Sequence, residues 1–186
     1  MKKLIFLTLI FVFTMSSIGM CAVPDPNAGM GDIQFGYTYY NLKKTTGGID
    51  QGKTGYNEIY GNVGLGFGYS AYISHFQSSG TSYTDLGLNT TPLLPNIALM
   101  VGQRQMESDN SDSTNKLFCG ASFKQYLAGG VAAYATYQKG MHFKDEVIGL
   151  TYDLDNNIRM NLSWKNYTDN NDTTFKGIGG GVIFQF

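Results

Sequence analysis

Cysteine, histidine and long apolar runs are scarce in this sequence, and each scarcity excludes a class of protein. Two cysteines and two histidines provide little material for a disulfide framework or a Cys/His metal centre. Beyond residue 22, no segment reaches about 18 consecutive apolar residues, which excludes a transmembrane helix. No block of basic residues indicates a nucleic acid or an anionic membrane surface as partner. We therefore expect no cofactor, no metal ion and no nucleic-acid partner.

Residues 1–22 have the composition of a secretory signal peptide. Two lysines precede an apolar run that begins at Leu4, and small residues lead to a cleavage position near Ala22. The run is too short to span a bilayer as a helix. Lipidation at Cys21 is the alternative, but the residue before a lipidated cysteine is normally small, and Met20 is not.

The remaining chain, residues 23–186, is long enough for one domain. Without the two lysines of the signal peptide, 11 basic residues stand against 14 acidic ones, a net charge of −3. Cys119 is then the only cysteine, and we expect it to fill space as a small apolar side chain. The full sequence has 24 Gly, 13 Tyr and 12 Phe but only 4 Pro, a composition that suits an antiparallel barrel.

Apolar residues recur with a period of two in a regular series of segments, which predicts β-strands. In GDIQFGYTYYN, for example, Ile33, Phe35 and Tyr37 fall on one face and Gln34 and Thr38 on the other. Most segments match the roughly 9–11 residues of a tilted transmembrane strand rather than the 5–6 of soluble domains. The fold class is therefore all-β, a transmembrane antiparallel up-and-down barrel of ten strands, with eight strands as the alternative. The strands are expected near residues 31–42, 56–67, 69–77, 82–90, 96–106, 116–126, 130–139, 144–153, 157–167 and 174–186.

The connections between these segments alternate in character. Three of them are long and polar, at residues 43–55, 107–115 and 168–174, and most of the others are short. Outer-membrane barrels have short periplasmic turns and longer external loops. With ten strands, both termini fall on the periplasmic side and all three long connections become external loops.

Aromatic residues are predicted to form belts at the two membrane interfaces, where amphipathic rings are favoured. The outer belt comprises Tyr37, Tyr39, Tyr137 and Trp164, and the periplasmic belt comprises Phe67, Tyr152, Phe184 and Phe186.

The chain ends on the segment GGGVIFQF, whose last strand would pair with the first to close the barrel. Its Gly180, Val182, Phe184 and terminal Phe186 resemble the carboxy-terminal signal that the assembly machinery of outer-membrane barrels recognises. The rest of residues 23–186 resembles small bacterial outer-membrane barrels of the porin-like and OmpA-like group, without a periplasmic domain after the barrel. The resemblance implies a Gram-negative-type outer membrane, with outer-membrane lipid and the barrel assembly machinery as partners.

Charged residues on the inward faces are the candidate functional residues of the lumen. An unpaired buried charge costs several kcal/mol, so these side chains should pair with each other or contact trapped water. A barrel of eight strands is about filled by its side chains, and ten strands lie close to that limit. A filled or very narrow core is therefore expected, and a thin ion path lined by these charges is the alternative. The inward charges are Glu58, Arg104, Lys124, Asp145, Asp153, Arg159 and Lys165.

Neither histidine has the sequence context of a known outer-membrane enzyme. His75 and His142 lack both the Asp-x-His spacing of the omptin proteases and the His-x-Ser pair of the lipid A deacylases. We expect no catalytic residues. The predicted role is structural or surface-interacting, through the external loops and with an unknown surface ligand. The two alternatives are a narrow porin-like channel for ions or small polar solutes and an enzyme that uses a rim histidine.

Overall fold

The computed structural model describes residues 29–78, 81–91, 96–108, 111–169 and 172–186. The predicted signal peptide, residues 1–22, with its cleavage position at Ala22 and the lipidation alternative at Cys21, lies outside the described residues. The described chain consists of ten strands. They are β1 (Ile33–Thr46), β2 (Ile49–Gly66), β3 (Tyr69–Ser78), β4 (Thr81–Thr90), β5 (Ile97–Ser108), β6 (Ser111–Tyr126), β7 (Val131–Gly140), β8 (Phe143–Asp155), β9 (Ile158–Asp169) and β10 (Thr173–Gln185).

The ten strands form one closed antiparallel barrel in which each strand pairs with its neighbours in the sequence. β10 returns to β1, with Phe35 opposite Phe184 and Tyr37 opposite Val182. The backbones of Ile33 and Phe186 exchange two hydrogen bonds, of 3.0 and 2.8 Å, at the end of this seam. The predicted up-and-down barrel of ten strands is confirmed, and the eight-stranded alternative is wrong. Closure leaves no edge strand that could pair with another chain.

Alternation along each strand separates an apolar outer wall from a polar inner wall. On β1, Tyr39 is 50% exposed on the outer wall, whereas its neighbour Tyr40 is 1% exposed in the lumen. The inner wall buries many amides and hydroxyls, such as those of Gln34, Thr38 and Asn62. The face that the sequence predicts to be apolar is therefore the outer face, as in a barrel surrounded by lipid.

The strands extend further than the sequence predicts at one end of the barrel. We call this end, where β1 turns into β2, the hairpin end, and the opposite end, with residues 29 and 186, the terminal end. Most of the predicted loop at residues 43–55 is strand, because β1 runs to Thr46 and β2 begins at Ile49. Gly47 and Gly48 make the turn with φ of 56° and 81°, the positive values that a tight two-residue hairpin requires.

The other two predicted loops are corrected in the same way. Residues 107–115 contain the end of β5 at Ser108 and the beginning of β6 at Ser111. Residues 168–174 contain the end of β9 at Asp169 and the beginning of β10 at Thr173. Backbone pairing continues past the last apolar residues, so these regions are hairpins rather than long loops.

Two inward-facing glycines, Gly177 and Gly181, allow β10 to approach β1 closely. A Cβ at position 181 would overlap the carbonyl oxygen of Tyr37, and a Cβ at position 177 would overlap that of Asn41. Gly180, on the outer wall, has open space, since the nearest atom to a Cβ there is the Asn161 oxygen at 3.8 Å.

We expect Gly181→Ala to destabilise the barrel by about 1–3 kcal/mol, because the added methyl group forces the β1–β10 seam apart. The matched control Gly180→Ala should leave the stability almost unchanged. The measurement is the free energy of unfolding of both variants in lipid vesicles, by denaturant titration. Equal stabilities for the two variants would show that the seam does not depend on this close approach.

Candidate functional site in the barrel lumen

Five charged residues, four of them buried and Glu58 partly buried, meet across the middle of the lumen, and we call them the central cluster. They come from five strands, β2, β4, β5, β8 and β9. Arg104 is 1% exposed and donates two hydrogen bonds of 2.6 Å to the carboxylate of Asp85. This paired geometry is the strongest that a guanidinium can make with a carboxylate. The members are Glu58, Asp85, Arg104, Asp145 and Lys165.

Asp145 connects the two cations of the central cluster. Its Oδ2 lies 3.2 Å from Arg104 Nη2 and 3.3 Å from Lys165 Nζ. Lys165 Nζ also lies 3.4 Å from Glu58 Oε1. Each charge therefore has an opposite charge within reach, as buried ions require. Two of these contacts, from Arg104 to Asp145 and from Lys165 to Glu58, link strands that are not neighbours in the barrel.

A layer of aromatic rings covers the central cluster on the side of the hairpin end. Neighbouring ring centroids are 4.6–6.2 Å apart, within the range of favourable ring contacts. Four of the rings lie on the same strand as a charge of the cluster. Each is two residues nearer the hairpin end than that charge, as Tyr83 is relative to Asp85. This aromatic layer comprises Tyr56, Phe76, Tyr83, Phe118, Phe143, Tyr167 and Phe175.

The aromatic layer also contacts the cations beneath it. The Arg104 Cζ lies 3.9 Å from the ring centroid of Tyr83 and 4.0 Å from that of Phe143. Lys165 Nζ lies 5.2 Å from the ring of Phe76. Cations over ring faces gain electrostatic energy, most of all when both are removed from water. The layer and the cluster thus form one continuous barrier across the lumen.

A small cavity borders the central cluster, with a volume of about 40 Å³. Arg104 Nη1, Asp145 Oδ1 and Thr136 Oγ1 belong to residues that line it, and these buried atoms have no hydrogen-bond partner among the described groups. A cavity holds a water molecule when its volume exceeds roughly 10–15 Å³ and its walls are polar. We therefore expect water to satisfy these atoms.

The predicted lumen charges divide into three groups. Glu58, Arg104, Asp145 and Lys165 belong to the central cluster. Arg159 pairs with Asp153 nearer the terminal end. Lys124, 4% exposed, lies with its Nζ 4.7 Å from the ring centroid of Tyr126, also near the terminal end. Whether these residues line a path for ions stays a prediction.

Sequence reasoning missed Asp85, the partner with the shortest contacts to Arg104. The segment SYTDLGLNT does contain the signal, because Leu86 and Leu88 face outward and place Asp85 and Tyr83 inside. It also missed the aromatic layer, since inward aromatic residues near strand ends look like interface residues when the register is unknown.

The residues predicted for the aromatic belts and the assembly signal lie mainly on the outer wall. Tyr37, Tyr137, Phe67 and Tyr152 are exposed. Gly180, Val182 and Phe184 alternate with buried Ile183 and Gln185, and Phe186 closes the seam with Ile33.

The two histidines lie outside the central cluster. His75 is on the outer wall of β3, where its Nδ1 lies 2.9 Å from Thr84 Oγ1. His142 is in the turn between β7 and β8. Cys119 is exposed on the outer wall of β6, so the prediction that it fills space is wrong. Within the described ranges, no group of three or more His, Cys, Asp or Glu side chains could hold a metal ion. The same ranges contain no helix that is long and apolar enough to cross a membrane.

Comparisons with known proteins concern the barrel fold. No protein-family model and no curated protein matches the sequence. The translocator domain of the autotransporter NalP from Neisseria meningitidis matches with 10% identity over 86% of this chain and 90% of that chain, with a TM-score of 0.48. Ail of Yersinia pestis, in complex with the heparin analogue sucrose octasulfate, matches with 11% identity over 84% and 99% of the two chains, with a TM-score of 0.45.

A mutant porin of Rh. blastica matches with 11% identity over 72% of this chain and 45% of the porin, with a TM-score of 0.36. All three scores are below 0.5, so none of these proteins identifies an activity for this chain. The predicted resemblance to small outer-membrane barrels is confirmed at the level of the fold, by the closed ten-stranded barrel itself.

Replacing Lys165 by Met should destabilise the protein by about 3–5 kcal/mol, because the carboxylates of Glu58 and Asp145 then lose a buried cation. The matched control is Lys144→Met, which removes a 2.7 Å ion pair with Glu146 from a side chain that is 46% exposed. We expect the control to cost less than about 1 kcal/mol. Denaturant titration in vesicles measures both values, and a cost below about 1 kcal/mol for Lys165→Met would contradict the role of the central cluster.

Proposed function

We propose that this chain is an integral outer-membrane barrel with a closed lumen, which acts through the surface at its hairpin end. The observation that carries the proposal is that the outer wall is apolar and the inner wall is polar, the reverse of a soluble protein. Every strand exposes a large apolar side chain on the outer wall, while the inner wall buries charges and amides. Examples in strand order are Phe35, Ile59, Ile73, Leu86, Val101, Leu117, Tyr137, Ile148, Leu162 and Ile178.

A soluble barrel would need the opposite arrangement. Contiguous apolar patches beyond a few hundred Å² are rare on soluble monomers and indicate contact with a membrane or a partner. The exposed apolar residues named above form a band around all ten strands, which we call the apolar band. A complete band is expected where the hydrocarbon region of a bilayer surrounds a barrel, whereas a protein interface would cover one side only. A soluble barrel is therefore the weaker interpretation.

The orientation follows from the hairpin extensions and the strand number. Both ends of the described chain, residues 29 and 186, lie at the terminal end. The turns themselves are short at the hairpin end, but the strands that they join extend past the apolar band. Outer-membrane barrels project further on their external side, which would place the hairpin end outside the cell. The outer face of β10, with Gly180, Val182 and Phe184, is then the surface that we propose for recognition by the assembly machinery.

Closure of the lumen favours a surface role over transport. The central cluster spans the lumen and the aromatic layer covers it, so an ion would have to displace paired charges and packed rings. The second candidate, a narrow channel, is supported by the 40 Å³ cavity and its polar lining. A catalytic role for His75 is not part of the proposal, because this side chain projects from the outer wall rather than into a cleft.

An epitope tag inserted between Gly47 and Gly48 should be accessible to antibody on intact cells. The control tag, inserted between Asn156 and Asn157 at the terminal end, should become accessible only after the outer membrane is permeabilised. Flow cytometry measures both. Equal labelling of the two tags on intact cells, or a soluble periplasmic protein, would contradict the membrane topology.

Refolded residues 23–186 should give no discrete conductance steps in a planar bilayer, because the central cluster and the aromatic layer block the lumen. Insertion is verified separately, by the shift in gel mobility between heated and unheated samples. Reproducible steps from inserted protein would favour the channel. In that case Lys124→Glu and Arg159→Glu should change the ion selectivity.

A further inference from the structure

Three lysines from different parts of the chain form a row on the outer wall at the hairpin end. Lys43 on β1 lies directly opposite Lys53 on β2 and directly opposite Lys176 on β10. All three are exposed, and the residue before Lys43, Leu42, is fully buried on the inner wall. We call Lys43, Lys53 and Lys176 the lysine row.

Like charges in this register repel each other. Directly opposed residues have Cβ atoms about 4.5–5.5 Å apart, and like charges at this distance destabilise the sheet. All three side chains in the row are positively charged, whereas in a stable ladder lysine and glutamate side chains would alternate across the strands. The arrangement therefore favours an anion that can contact several ammonium groups together.

The acidic residues nearby neutralise only part of this charge. Asp50 Oδ2 lies 2.7 Å from Lys43 Nζ. The hydrogen bond from Lys43 holds the pKa of the Asp50 carboxyl below its ordinary value, so this group is ionised and balances one lysine. Asp172 lies in the turn between β9 and β10, four residues along the chain from Lys176. No ion pair of Lys53 or Lys176 occurs in the described parts of the chain.

The position of the row relative to the apolar band identifies the kind of anion. On β1, Tyr39 is the last outward aromatic residue, and Lys43 lies about 13 Å further along the strand, at roughly 3.3 Å per residue. On β10, Lys176 is the first outward residue beyond Ile178 in the direction of the hairpin end. Its Nζ lies 5.4 Å from the ring centroid of Trp164, and tryptophan favours the membrane interface. The row therefore lies at the depth of lipid headgroups.

We propose that the lysine row binds the phosphate of an anionic lipid headgroup in the leaflet at the hairpin end. A phosphate monoester carries more than one negative charge at neutral pH and offers several acceptor oxygens. Lysines can reach it while their aliphatic stems cover the apolar surface below. The acyl chains of the same lipid would lie against Tyr39 and Ile178 on the apolar band. The proposal rests on the membrane location argued above.

The chain has a single tryptophan, and its contact with Lys176 makes it a reporter for the row. The refolded chain, residues 23–186, is placed in phosphatidylcholine vesicles that contain either brominated phosphatidic acid or brominated phosphatidylcholine as a minor component. Bromine on the acyl chains quenches Trp164 when the lipid is adjacent. The ratio of the two quenching curves gives the preference for the phosphate monoester.

We expect wild-type protein to prefer phosphatidic acid by at least about fivefold, the factor that corresponds to about 1 kcal/mol per basic residue at an anionic membrane surface. Lys53→Gln/Lys176→Gln should abolish most of this preference. The control Lys44→Gln/Lys116→Gln removes the same charge from residues on the inward side of their strands and should retain it. An unchanged preference in the first variant, or an equal loss in the control, would overturn the proposal.

Two further outcomes separate this inference from its premises. If neither brominated lipid quenches Trp164 and heating causes no shift in gel mobility, the chain is not inserted and the membrane location is wrong. Quenching by phosphatidylcholine without a preference for phosphatidic acid would leave the membrane location intact and overturn the lipid site alone. Displacement of phosphatidic acid by inorganic phosphate at equal concentration would show a free-anion site and overturn the lipid as occupant.

Discussion

The contact of Asp145 with both Arg104 and Lys165 is the interaction on which the arrangement of the lumen depends. Ions removed from water are tolerated only when each has a partner, and here one carboxylate serves two cations. This requirement fixes the position of β5 and β9 relative to β8. It also holds the cations beneath the aromatic layer, where their charge is stabilised by the ring faces. A change at one member therefore affects the whole barrier across the lumen.

The structure has two parts, and we propose a different role for each. The inner wall stabilises a barrel whose centre is filled, and glycines on β10 allow its seam to close tightly. The hairpins extend beyond the apolar band. The lysine row, at the junction of these parts, gives a physical reason for a preferred lipid around the barrel. We therefore propose that this chain acts by contact with its surroundings rather than by passage of solutes through the lumen.

The sequence predicts the fold well because successive side chains of a strand face opposite sides of the barrel wall, so each residue points either inward or outward. Ile33, Phe35 and Tyr37 identify the outer face of β1 without any knowledge of its neighbours. The hairpin extensions are not predicted by this periodicity, since the Thr- and Lys-rich stretch before Gly47 pairs through its backbone and has no apolar alternation. Its length could be inferred only from the register of β1 against β2.

The site is predicted less completely, because contacts across a lumen depend on register, strand tilt and closure. Glu58, Arg104 and Lys165 are recognisable as inward charges, but nothing in the sequence shows that Asp145 lies between two of them. The lysine row is an extreme case. Lys53 and Lys176 are separated by most of the chain, so no basic block appears in the sequence, although both face Lys43 in the barrel.

The most direct test of this account is a double-mutant cycle between Asp85 and Arg104, the closest ion pair of the central cluster. Asp85→Leu, Arg104→Met and the double variant are unfolded by denaturant in vesicles. If the buried pair acts as a unit, each single variant leaves a charge without its partner, and the double variant is more stable than the sum of the single losses predicts, by about 1–3 kcal/mol. Additive losses would mean that the two charges are hydrated independently, and the account of a lumen closed by paired charges would be wrong.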